Sequence, residues 1–104
     1  MTEKIFEIPL SAEPQLFLIN LVGKQYYFRV WWNDAISTWH LDILLSDKAP
    51  LINGIPLITG TDLLGQYEHL GIGGSLFVCS DTESPDDLPT FQNLGIDSKL
   101  YFST

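Results

Sequence analysis

Between Lys24 and Ser46, apolar and polar positions alternate with a period of two, in two runs joined by a short polar segment. Tyr26, Phe28, Val30 and Trp32 form one phase of the first run, and Tyr27, Arg29 and Trp31 the other. In the second run Trp39, Leu41, Ile43 and Leu45 alternate with His40, Asp42 and Leu44. Alternation in aromatic and branched residues is the signature of strands. Placing Trp32 opposite Trp39, with Asn33 to Thr38 as the turn region, sets Val30 against Leu41, Phe28 against Ile43 and Tyr26 against Leu45. The other face then pairs Trp31 with His40, Arg29 with Asp42 and Tyr27 with Leu44. A slip of one residue would set Arg29 opposite an apolar residue and mix the faces. Directly opposed pairs contribute about 0.2–1 kcal/mol each, enough to select a register.

The remaining chain divides into short apolar runs separated by turn signals. Ile5 to Leu10 reads as an opening strand ended by Pro9 and Ser-Ala-Glu-Pro, and Gln15 to Leu21 as a second. Val22-Gly23-Lys24 is short enough to make that second strand the hairpin partner of Lys24–Trp32. Asp47 to Pro50 turns the chain into Leu51–Ile58, where Asn53-Gly54 predicts a tight turn or bulge and Pro56 an edge position. Residues 60–65 predict a one-turn helix, capped by Thr61 or Asp62 and ended by Gly65. Ser75–Cys79 and Lys99–Ser103 are further strands, and Asp81 to Pro89 is an acidic, proline-containing surface loop. The expectation is an all-β chain, a small β-barrel or sandwich of about seven short, mostly antiparallel strands with one helical turn.

Composition narrows this picture. At 104 residues the chain is of the size of one domain, spanning 1–104. Its 45% hydrophobic content, with three Trp, four Tyr and six Phe, supplies a core. A mean hydropathy of +0.12 is high for a monomer and hints at apolar surface covered by a partner. No apolar run approaches the roughly 18–20 residues of a membrane span, and the charged N-terminus lacks a signal-peptide apolar core. The single cysteine, Cys79, excludes an internal disulfide framework and fits cytoplasmic synthesis. The net charge of −8, with Lys4, Lys24, Arg29, Lys48 and Lys99 scattered, argues against nucleic-acid binding.

Candidate chemistry is sparse. His40 and His69 lie in no ligand-spaced motif, so no metal site is expected. Asp81, Glu83, Asp86 and Asp87 offer oxygen ligands of the kind calcium takes, but Pro85 interrupts them and the glycine of an EF-hand loop is missing. They read as a solvated acidic loop. Cys79, in the apolar run Leu76-Phe77-Val78-Cys79, is expected to be buried as a small hydrophobe. Gly71-Ile72-Gly73-Gly74 lacks the following helix that a phosphate-cradling loop requires. No catalytic residue and no cofactor are expected. The aromatics give a surface instead: with Trp32 and Trp39 in the core, Trp31 and Tyr27 on the opposite face are either covered by a second layer or presented to a partner. Tyr27, Trp31 and the acidic Asp81, Glu83, Asp86 and Asp87 are therefore the candidate interface.

The order of these signals resembles the family of phage baseplate plug proteins typified by a cyanophage contractile-tail plug. The matching pieces run from about Ile5 to Phe102: Ile-Pro-Leu at 8–10, Gly-Lys-Gln-Tyr-Tyr-Phe-Arg-Val-Trp-Trp-Asn at 23–33, and Trp-His-Leu-Asp-Ile at 39–43. They continue with Ile-Pro-Leu at 55–57, Gly-Thr-Asp-Leu-Leu at 60–64, Gly-Gly-Ser-Leu-Phe-Val at 73–78, Leu-Gly at 94–95 and Leu-Tyr-Phe at 100–102. The resemblance implies a structural tail component of a phage or prophage, in the virion, contacting hub and spike proteins and closing the tail channel. It implies neither catalysis nor a cofactor. Central tail parts are commonly built on threefold or sixfold axes, so it also implies a homo-oligomer. The rival expectation from the residues alone is a small binding module that takes a glycan or peptide on Trp31 and Tyr27.

Overall fold

In the computed structural model, which describes residues 5–80 and 88–104, the central hairpin forms in the register that the alternation predicts. Strand β3 (Lys24–Asn33) runs antiparallel to β4 (Thr38–Leu45), with Trp32 opposite Trp39, Val30 opposite Leu41 and Arg29 opposite Asp42. Strand β2 (Gln15–Leu21) folds back onto β3 through Val22 and Gly23, whose φ values of 52° and 78° are both left-handed. A two-residue hairpin turn of type I′ demands this geometry. Valine is a poor residue for it, because its branched side chain crowds the backbone there.

Strand β5 (Pro50–Pro56) completes this sheet in the order β2-β3-β4-β5. Its pairing with β4 shifts twice, between Leu41 and Ile43 and again between Ile43 and Leu44. Gly54, with φ 75°, sits at the first shift, so Asn53-Gly54 is the bulge that the sequence suggests. The second sheet has the order β1-β7-β6, built from β1 (Ile5–Ile8), β6 (Ser75–Ser80) and β7 (Ser98–Ser103), all antiparallel.

The two sheets face each other as a sandwich rather than closing into one barrel. Tyr26, Phe28, Val30, Trp39, Leu41 and Ile43 from the larger sheet meet Ile8, Leu76, Val78, Leu100 and Phe102 from the smaller. Leu57, Leu64, Ile72 and Leu94 from the connections fill the ends. Fully burying each such side chain is worth about 1.5–3 kcal/mol. One flank of the sandwich is stitched by backbone: Thr59 bridges Val78, and the Leu63 N–H donates to the Leu76 carbonyl at 2.7 Å. Two glycines sit where chains touch. A Cβ on Gly95 would collide with the Leu10 carbonyl, and one on Gly74 would collide with the Phe102 ring.

Two expectations fail locally. The helical turn is a 3-10 helix over Gly65–Leu70, beginning at the residue expected to end it. Asp62 is the reason: its Oδ1 accepts the Leu64 N–H at 2.9 Å and the Leu76 N–H at 3.1 Å. The carboxylate therefore holds residues 62–64 as a turn against β6, and the helix starts only beyond it. Cys79 is exposed, not buried. On β6, Leu76, Val78 and Ser80 point inward, which turns Phe77 and Cys79 outward.

Candidate functional site: the outer face of the larger sheet

The face of the larger sheet turned away from the core carries Trp31, Arg29 and Tyr27 from β3 and His40, Asp42 and Leu44 from β4. The β2–β3 register sets Leu16 beside Arg29 and Leu18 beside Tyr27, so two leucines extend this face to the sheet edge. They are 49% and 47% exposed. Within the face β4 is buried on both sides: Trp39, Leu41 and Ile43 below, His40, Asp42 and Leu44 above.

Among the described residues no second layer of backbone does this covering; long side chains from neighbouring strands lie over β4. The Trp31 ring stacks on His40 with centroids 4.7 Å apart. His40 Nδ1 lies 3.2 Å from the Thr38 carbonyl, which can only accept, so Nδ1 carries the hydrogen. Arg29 reaches Asp42 Oδ2 through Nε at 3.0 Å and Nη2 at 2.8 Å. Lys48 Nζ sits 5.2 Å above the Tyr27 ring, a cation–π contact.

Asp42 is the electrostatic centre of this face. Burial pushes its carboxyl up, but the Gly54 N–H, the Arg29 side chain and the Trp31 indole act against burial and together hold it below the ordinary value of 3.8. The Gly54 N–H donates to Oδ1 at 2.7 Å, which ties the β5 bulge to β4. Trp31 Nε1 is buried without a partner in hydrogen-bonding geometry. It lies near enough to the carboxylate to help keep it ionised, at a looser approach than a formed bond.

Tyr27 and Trp31 therefore share one face, as the alternation predicts, and both are half-buried. Asp81, Glu83, Asp86 and Asp87 lie outside the described residues. Leu16 and Leu18 were missed because both phases of Gln15–Leu21 are apolar; only the pairing with β3 tells Leu16 and Leu18 apart from Phe17 and Ile19. A second exposed aromatic group lies at the sandwich end, where Phe91 packs against Trp32 and Trp39 at 5.2 and 5.8 Å. There the Trp39 indole donates to the Thr90 carbonyl at 2.9 Å.

Elsewhere, shallow clefts flank the 3-10 helix, the larger bounded by Ile55, Ile58, Asp62 and Tyr67. Among the described residues no three His, Cys, Asp or Glu side chains are grouped to hold a metal ion. No helix among them is long and apolar enough to cross a membrane. What the chain offers is surface: a carpet of aromatic, aliphatic and paired charged side chains over a rigid sheet.

A comparison with curated proteins gives no match. A family described as cyanophage baseplate Pam3 plug gp18 matches residues 5–104, nearly the whole chain. The match runs through both sheets and through every strand described above. With its all-β sandwich and its side-chain-covered outer face, this chain belongs to the cyanophage baseplate plug family.

Proposed function

We propose that this chain is the plug of a contractile phage tail, seated at the hub and spike of the baseplate and closing the tail channel before contraction. The family match over residues 5–104 carries the reading, and it makes the chain a structural component of a phage baseplate, a part of the virion tail. In this role the chain does no catalysis and needs no cofactor. It is made in the cytoplasm of the bacterial host and acts as a homo-oligomer held by hub and spike proteins. The outer face with Tyr27 and Trp31, and the acidic segment with Asp81, Glu83, Asp86 and Asp87, are the proposed contacts. A net charge of −8 suits docking against basic partner surfaces.

The test is reconstitution with the hub and spike proteins of the same tail, read by light scattering. A stable complex that Trp31→Ala weakens supports the plug reading. A chain that ignores every tail component, yet binds an oligosaccharide or peptide as a monomer through Trp31, overturns it in favour of the binding module.

A further inference from the structure

The sandwich has four strand edges, and three of them carry features that block further pairing. The β5 edge holds Pro50, Pro56 and a bulge. The β6 edge is bridged by Thr59 and by the Leu63–Leu76 hydrogen bond. The β1 edge is four residues long, includes Glu7, and is followed by Pro9. The β2 edge, although preceded by Glu13 and Pro14, has none of these devices along its own length. Gln15–Leu21 is a regular seven-residue strand without charge, proline or bulge, paired on one side only among the described residues. Natural sheets normally guard such an edge, because unpaired N–H and C=O groups invite another strand.

The direction of those groups follows from the hairpin. In a two-residue turn the flanking residues, here Leu21 and Lys24, form the closing hydrogen-bonded pair. Alternation then points the backbone of Ile19 and Phe17 toward β3 as well. The N–H and C=O groups of Leu16, Leu18 and Asn20 point away from it.

We propose that the β2 edge pairs antiparallel with the β2 edge of a second copy of this chain, centred on Leu18. The strand is complementary to itself. Centring on Leu18 overlaps all seven residues and sets Leu16 opposite the partner's Asn20, and Phe17 opposite the partner's Ile19. The outward groups of Leu16, Leu18 and Asn20 then supply about six interchain hydrogen bonds. Both copies keep their outer faces on the same side, so the half-exposed Leu16 and Leu18 of each chain meet in one apolar stripe. Charge does not oppose the contact: although each chain carries −8, the strand itself is neutral. The result is a continuous eight-stranded sheet.

This pairing is twofold and closes at two copies, so it is a contact beyond any ring about the tail axis. It stands or falls on the isolated chain, whereas the plug reading is tested by the hub and spike complex. Light scattering across a dilution series should show a species of twice 11.7 kDa that dissociates on dilution. Leu18→Lys, at an outward and half-exposed position, should give the single-chain mass with an unchanged far-ultraviolet spectrum. Ile5→Lys, on the rival β1 edge, should leave the doubled mass in place. In the dimer, amide exchange at Leu16, Leu18 and Asn20 should slow roughly tenfold or more relative to Leu18→Lys. Should Leu18→Lys unfold the chain, Leu18→Pro, which removes the outward N–H together with the leucine side chain on an edge strand, takes its place. The proposal fails if the wild-type chain stays at 11.7 kDa at every concentration, or if its dimer survives both Leu18 variants. It fails equally if these amides gain protection only when a hub or spike protein is added.

Discussion

Removing the Asp42 carboxylate should cost far more than removing the guanidinium it faces, although the two form one ion pair. Arg29 is 52% exposed at its side chain, so solvent screens its charge. An exposed pair of this kind contributes about 0.2–1 kcal/mol. Asp42 is 5% exposed and also accepts the Gly54 N–H at 2.7 Å. That bond is charge-assisted, a class worth about 1.5–3 kcal/mol, and it anchors the bulge at which the β4–β5 register shifts. Asp42→Ala should therefore destabilise by about 2–3 kcal/mol and Arg29→Ala by about 1 kcal/mol or less. For a domain of this length each kcal/mol moves the melting temperature by about 4–8 °C, so the two variants should separate by about 10 °C. Asp42→Asn keeps an uncharged acceptor and should fall between them. Urea unfolding followed by tryptophan fluorescence, with thermal melts alongside, measures all three. Equal losses for Asp42→Ala and Arg29→Ala would refute the reasoning, since the ion pair and not the bulge anchor would then set the energy.

Four further outcomes follow from the same geometry. Because the folded carboxyl of Asp42 titrates below its ordinary value, its contribution is full above about pH 4–5 and is lost as pH falls toward the folded value. Acid unfolding of Asp42→Asn should lack that part of the pH dependence, read as a shallower loss of denaturation midpoint below pH 4. Val22→Asn should stabilise by about 1 kcal/mol, because asparagine tolerates the φ of 52° that valine adopts under strain; an unchanged or lowered urea midpoint would contradict this. Gly95→Ala should cost about 3 kcal/mol or more, combining left-handed strain with collision against the Leu10 carbonyl. Gly54→Ala, at a similar φ with open space around it, should cost only about 1 kcal/mol.

The sequence by itself determined the hairpin. Trp32 faces Trp39, and every pair down to Tyr26–Leu45 follows, because one burial face and one Arg29–Asp42 pair satisfy only one register. The bulge at Asn53-Gly54 and the edge placement of Pro56 were legible for the same local reason, a residue type that a regular ladder does not accommodate. The family was legible too, in short pieces whose order matches over residues 5–104.

What tertiary structure decided concerns relations between segments distant in the chain. The choice of sandwich over barrel depends on which edges meet, and no local alternation encodes that. The helix start moved because Asp62 reaches Leu76 on β6, fourteen positions away, and spends its carboxylate on a turn. Cys79 turned outward because the β6–β7 register gave the interior to Leu76, Val78 and Ser80. Trp31 came to rest on His40 instead of standing free, since β4 needed its outer side covered and the long side chains of β3 lay within reach. Leu16 and Leu18 surfaced only through their pairing with β3, and that same pairing leaves their backbone at an open edge. Local pattern fixes which residues alternate; only the packing of the strands decides which of two apolar phases is left in water.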